Sequence, residues 1–209
     1  MSKYVAKNDD ERNINFYSSL LKKFGQNYNS LNWGSKSSQF KRFEVLASVG
    51  INTKDKILDL GCGLGDFYSW LSENIPFVDY HGIDLTYEMV KETRKRYPEL
   101  LIENKTIFEI DAEKPVYDYI VASGIFYLRK DEPYEYMMKT IGKMFQLCKK
   151  GIAFNSLSSW SKEYSKNEFY ADPLEIVAEI KNKFTSKIIL RHDYHPNDFS
   201  IYMYKEEKI

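Results

Sequence analysis

Between Ile57 and Phe67 an apolar run, Ile57-Leu58-Asp59-Leu60, passes without a spacer into Gly61-Cys62-Gly63-Leu64-Gly65-Asp66 and then into helical spacing. Three glycines in five positions permit a tight turn and let a flat ligand approach the backbone closely at a helix start. The dinucleotide fingerprint G-x-G-x-x-G needs its last glycine at position 66, where this chain has Asp66, whose charge at the helix mouth repels a pyrophosphate. Asp84 closes the next apolar run, nineteen residues beyond Gly65, where a carboxylate can accept both hydroxyls of a ribose. The pattern implies a ribose-bearing ligand without a pyrophosphate.

From Lys56 onward short apolar runs alternate with helical ones, as in a parallel sheet covered on both faces. The patterning predicts strands near Lys56 to Leu60, Tyr80 to Asp84, Lys105 to Ile110, Tyr117 to Ala122, Gly151 to Asn155, Lys187 to Arg191 and Ser200 to Tyr204. Helices are expected near Asp66 to Glu73, Tyr87 to Tyr97, Pro133 to Cys148 and Pro173 to Phe184. Only HDYHPND joins the last two strands, too short a loop for a crossover, so the final strand must run antiparallel. Ahead of the sheet, Ile14, Tyr17, Leu20, Leu21 and Phe24 share one helix face that ends at Gly25, and a second helix is expected from about Ser38 to Val49. The fold class expected is therefore α/β: a seven-stranded, mostly parallel sheet with helices on both faces, an antiparallel last strand and an N-terminal helical cap. Residues 1–50 form the cap and residues 51–209 the main unit of a single domain.

Thirty Lys plus Arg balance thirty Asp plus Glu among 209 residues, so no global field draws in nucleic acid or an anionic membrane. No apolar run approaches the ~18 residues that span a bilayer, and the N-terminus lacks the continuous apolar stretch of a secretory signal. Two cysteines, Cys62 and Cys148, make no disulfide framework. Reduced thiols in a cytoplasmic protein are the plain reading.

ILDLGCGLGDF followed by GIDLT resembles the cofactor site of the class I S-adenosylmethionine-dependent methyltransferases, which have a Rossmann-like sheet. YDYIVASGIFYL resembles that family's fourth strand and KKGIAFNSLSS its fifth, while NWGSKSSQFKRFEVL and RHDYHPNDFSIYMYK resemble bacterial members of mostly unassigned substrate. The resemblance implies that Gly61 and Gly63, with Asp59 before them and Gly65 after, face the amino acid part of S-adenosylmethionine. It implies Asp84 for the ribose, Leu85 against the base, and Asp111 with Ala112 for the adenine; Ser123, at the strand-four exit, joins the cofactor residues. By position Arg42 is expected to pair with the cofactor carboxylate and Trp33 to cover it, against the plainer readings of a surface cation and a buried plug.

Ligands in open α/β sheets bind beyond the carboxyl ends of the strands. The strand-four exit reads S-G-I-F, unlike the N/D-P-P-Y/F turn that amino methyltransferases of adenine or glutamine share by resemblance; no cysteine stands there for cytosine C5 chemistry, and no carboxylates for metal-assisted transfer. What remains is direct in-line transfer, where alignment supplies most of the acceleration. His192 is the expected general base for an acceptor that must lose a proton, oriented by Asp193 or Asp198, and Tyr127 the expected positioning group. His192 and His195, three apart with no further His or Cys nearby, suit a hairpin turn better than a metal site. The function expected is methyl transfer from S-adenosylmethionine to the oxygen or nitrogen of a small-molecule acceptor. Methylation of RNA or protein would need a basic groove, and a non-catalytic S-adenosylmethionine-binding subunit is the third reading. The sequence carries no signal for oligomeric state.

Overall fold

The computed structural model describes residues 7–206. Two helices, α1 (Lys7–Phe24) and α2 (Lys36–Ala47), flank a single 3-10 turn at Tyr28–Leu31. The sheet then builds through β1 (Lys56–Leu60), α3 (Asp66–Asn74), β2 (Asp79–Asp84), α4 (Tyr87–Arg96), β3 (Leu101–Asn104) and β4 (Tyr117–Ala122). It finishes with α5 (Pro133–Leu147), β5 (Cys148–Leu157), α6 (Pro173–Lys183), β6 (Ile188–Arg191) and β7 (Asp198–Tyr204). The strand order is β3-β2-β1-β4-β5-β7-β6. β1 to β5 pair in parallel, whereas β7 runs antiparallel to both β5 and β6, as the short β6–β7 loop requires.

Alternation along each strand feeds two separate cores, because successive side chains leave opposite faces of a sheet. Leu58, Ile120 and Ile152 pack with Met137, Ile141, Met144 and Ile180 of α5 and α6. Ile57, Val121 and Ala153 pack on the other face with Phe43, Leu46, Phe67 and Val90 of α2, α3 and α4. Each large aliphatic side chain withdrawn from water in these layers stabilises the fold by roughly 1.5–3 kcal/mol.

The third strand departs from expectation. Pairing of β3 with β2 runs from His81↔Leu101 to Asp84↔Asn104, so the strand lies ahead of the expected Lys105 to Ile110. The apolar spacing of Ile107 and Ile110 is genuine burial, at 2% and 8% exposure, but a 3-10 turn at Ile107–Glu109 produces it. Thr106 N–H donates to Glu109 Oε2 at 2.6 Å, which closes that turn and ends the extended chain. Cys148, expected at the end of a helix, instead opens β5, a ten-residue strand that carries Ser156 within it.

α1 is fastened by polar groups rather than by a greasy face. Asp9 and Asp10 are buried at 0% and 9% exposure, whereas no apolar residue of α1 is fully buried. Asp10 pairs with Arg129 Nη1 at 2.5 Å. Asp9 accepts the N–H groups of Lys130 and Asp131 at 3.1 and 2.9 Å and pairs with Arg12; although burial opposes them, these contacts hold its carboxyl below the usual range. The helix is thereby strapped to the loop that follows β4.

Candidate active site

Strand order reverses between β1 and β4, and at that switch the loops leaving the two strands diverge and open a crevice. A cleft of about 360 Å³ occupies this place, within the range of small-molecule sites. Its walls come from the exits of β1, β2, β4 and β5, from the start of β7, and from α1, α2 and the segment between them.

Gly61 and Gly63 have φ of 79° and 53°, the left-handed region that favours glycine. A Cβ on Gly61 would stand 2.5 Å from Ile125, and one on Gly63 2.6 Å from Leu31, so the loop is pressed between the β4 exit and the cap. Gly63 N–H donates to Asp84 Oδ2 at 2.9 Å and Thr86 N–H to Asp84 Oδ1 at 2.7 Å. Each carboxylate oxygen keeps lone-pair capacity beyond its single amide bond, which suits the two hydroxyls of a ribose. Burial pushes the Asp84 carboxyl up, while the Thr86 and Gly63 amides favour its ionised form. Asp59 is 3% exposed, receives the Tyr80 hydroxyl at 2.5 Å and is pushed up to about 7, first by burial and then by Asp84 and Asp66. Asp59, Asp66 and Asp84 all line the cleft, surroundings that suit a ligand carrying a sulfonium and an ammonium.

Across the cleft, Arg42 donates through Nε to Asp198 Oδ2 at 2.5 Å and through Nη1 to Ser38 O at 2.9 Å, with its guanidinium over the Trp33 ring at 4.9 Å. None of the bonds among the described residues uses Nη2, so that end of the fork is available to a ligand carboxylate. Arg42 is 6% exposed, which replaces the surface-cation reading with a buried, paired cation. The Trp33 ring lies against Gly124, where a Cβ would meet it at 3.2 Å. Tyr127 hydroxyl hydrogen-bonds with Tyr17 hydroxyl and accepts from Asn32 Nδ2, both at 3.0 Å, and so ties the β4 exit to the cap.

Trp33, Arg42, Asp59, Gly61, Gly63, Asp84, Leu85, Ser123 and Tyr127 are thus brought to one cleft. Four expected residues are not. Gly65 caps α3 and packs on Thr93 and Tyr97 behind the loop. Because β3 ends at Asn104, the chain has left the cleft before Asp111, which is exposed, and Ala112, which packs on the core; Lys105, Thr106 and Ile107 line that end instead. His192, expected as the base, bonds through Nε2 to Ser158 Oγ at 2.8 Å and stacks on Trp160 with ring centroids 4.9 Å apart, outside the cleft wall. Its loop delivers His195 to the wall instead.

Asn155 is a residue that sequence reasoning missed. Buried at 2% exposure, it accepts Gly124 N–H at 2.7 Å and donates to Ser123 Oγ at 3.2 Å, which fixes the β4 exit. An amide inside the apolar run of β5 is the signal that marked it. Tyr17 and Asn32, also in the wall, sat in segments whose helical spacing and Asn/Ser content carried no chemistry on their own.

This combination, a switch-point cleft with a glycine turn and a paired acid at the end of β2, defines an α/β nucleoside-binding enzyme without a pyrophosphate cradle. A family model described as a methyltransferase domain matches residues 58–151. The chain is 31% identical over 164 residues to Rv1506c of Mycobacterium tuberculosis, whose name assigns it provisionally to the methyltransferases; the match takes in 74% of this chain and 97% of the relative. DhpI, solved with S-adenosylhomocysteine, aligns over 97% of each chain with a TM-score of 0.63 at 12% identity. The plantazolicin methyltransferase BpumL, solved with a desmethyl analogue and S-adenosylhomocysteine, gives a TM-score of 0.60 at 15% identity over 96% of this chain and 100% of that one. At such identities the two structures establish the fold. The chain belongs to the class I S-adenosylmethionine-dependent methyltransferases, and S-adenosylmethionine is its cofactor. Among the described residues no helix is long and apolar enough to cross a membrane.

Proposed function

We propose that this enzyme methylates an oxygen or nitrogen of a small molecule by direct in-line displacement. The observation that carries the reading is the roof of the cleft: α1 and the segment after it cover it and are bonded to the β4 exit through Tyr127, by Tyr17 of α1 and by Asn32, leaving room for a cofactor and a compact acceptor. Of the basic side chains on and beside α5, Lys139 pairs with Glu135 at 2.6 Å and Lys150 with Asp55, which reduces the field a polyanion would meet there. The natural product named for BpumL is compatible with such an acceptor.

S-adenosylmethionine, when bound, supplies a methyl group on a sulfonium sulfur. Asp84 would hold the ribose hydroxyls, Leu85 would pack on the base and Asp59 would stand toward the ammonium. Arg42, beside Trp33, would hold the cofactor carboxylate through Nη2. Tyr127, with Asn155 behind Ser123 and Gly124, holds the acceptor side of the cleft in register, so alignment is the main catalytic contribution of the protein. Incubating the enzyme and methyl-labelled S-adenosylmethionine with a cell extract, then separating by size, tests the reading. Label is expected in the small-molecule fraction; label confined to RNA or protein overturns it.

A further inference from the structure

Asp198 stands at the start of β7, 4% exposed, in the wall of the cleft. Its two oxygens are treated differently. Oδ2 is held by Arg42 Nε at 2.5 Å, whereas Oδ1 is buried with no hydrogen-bond partner among the described residues. The nearest polar neighbour does not serve it: His195 Nδ1 lies 3.6 Å away, too far for a hydrogen bond, and itself accepts the Asn197 N–H at 3.2 Å. A neutral ring that accepts at Nδ1 carries its hydrogen on Nε2 and offers Asp198 nothing. Burial, followed by the charge of Arg42, lowers the basicity of His195. Two acceptor atoms therefore face each other in the cleft wall with no donor between them. In a folded protein such a buried, open carboxylate oxygen is costly unless a ligand or an ordered water completes it.

We propose that Asp198 Oδ1 is the acceptor-binding group of this methyltransferase, and that it selects nucleophiles bearing an O–H or N–H hydrogen. The inference rests on the small-molecule reading above and deepens it. Arg42 already balances the carboxylate charge, so this lobe favours an uncharged hydrogen donor over a carboxylate or phosphate acceptor. With the donor hydrogen on Oδ1, the lone pair of its oxygen or nitrogen is free to point at the methyl carbon. In the reaction the new bond joins that atom to the methyl carbon and the sulfur–methyl bond breaks, its electron pair remaining on sulfur, which leaves as a neutral thioether. The proton of the nucleophile passes to the Asp198 carboxylate. Arg42 acts through Asp198 as a positioning residue.

Matched probes test this on the intact protein saturated with S-adenosylhomocysteine. Phenol against anisole, and aniline against N,N-dimethylaniline, differ only in the hydrogen that Oδ1 would receive, and ligand-observed NMR reads their binding. The donor of each pair is expected to bind at least tenfold more tightly, and Asp198→Asn, whose amide oxygen can still accept Arg42 Nε and keep that side chain in place, to abolish the difference while S-adenosylhomocysteine affinity falls by less than tenfold. Equal binding within each pair, or no donor bound at millimolar concentration, overturns the proposal. A tenfold loss of S-adenosylhomocysteine affinity in Asp198→Asn with the pair difference intact also overturns it, because the carboxylate then serves the cofactor. Should that variant not fold, the pair difference in the wild type still decides. Label found only on macromolecules in the extract experiment would instead refute the small-molecule reading, so the two failures are distinct.

Discussion

Replacing Asp84 by alanine removes the carboxylate that binds the glycine loop through Gly63 and that we propose receives the ribose. In the folded protein Gly63 N–H and Thr86 N–H each donate to one of its oxygens, at 2.9 and 2.7 Å, so the group is already oriented before a ligand arrives. Two further bonds to ribose hydroxyls, each to a charged acceptor and worth roughly 1.5–3 kcal/mol, amount to about 3–6 kcal/mol of binding. That corresponds to a loss of about 10²–10⁴ in affinity. Asp84→Asn is informative beside it, because its amide keeps one acceptor oxygen but turns an NH₂ toward either Gly63 or Thr86. One backbone N–H is then unpaired, at a cost of about 1–3 kcal/mol, so the asparagine does not rescue the alanine. The stability of the free alanine variant is set by two opposed effects: relief of the burial that pushes the Asp84 carboxyl up, and loss of the acceptor for both the Gly63 and Thr86 N–H groups, about 1–3 kcal/mol each, so a net loss is expected. Calorimetric titration with S-adenosylhomocysteine, together with thermal unfolding of the free protein, measures both quantities. A folded Asp84→Ala protein that binds within threefold of the wild type would refute the assignment.

Three further outcomes are expected. Asp59, held at about 7, binds its proton in the folded state at pH values where the unfolded chain has released it, so the unliganded protein should gain stability as pH falls from 8 to 5.5. The gain is about 2 kcal/mol, should vanish in Asp59→Asn, and is read by urea unfolding at the two pH values; equal slopes in both proteins would contradict it. Asp10→Ala removes the carboxylate that Arg129 Nη1 reaches at 2.5 Å, and a loss of about 1.5–3 kcal/mol is expected in denaturant unfolding; an unchanged midpoint would show that α1 is held by other contacts. Cys62 and Cys148 are both buried with their thiols pushed up by burial, so a thiol reagent should titrate neither in the native protein and both after denaturation; rapid native reaction would contradict the packing.

Local chemistry alone was enough to read the spine of this protein. An apolar run that ends in three glycines, and an acid at the end of the next run, admit few backbone solutions, so β1, its turn, α3, β2 and the place of Asp84 follow from residue type and spacing. The antiparallel β7 follows equally, because a six-residue loop cannot make a crossover. Other features depend on which atoms long-range folding brings together. TIFEI alternates like a strand, yet Thr106 and Glu109 close a turn there, and only pairing of β3 with β2 moves the strand to Leu101 and carries Asp111 out of the cleft. His192 and His195 share one loop and one side-chain chemistry. Which of them meets the cleft depends on Ser158 and Trp160 capturing the first. Arg42 and Asp198 lie 156 positions apart, and no periodicity links them. Their pairing, and the carboxylate oxygen it leaves open, exist because α2 packs on the face of the sheet over β5 with Tyr202 of the neighbouring β7, a contact set by burial of that core rather than by any local signal.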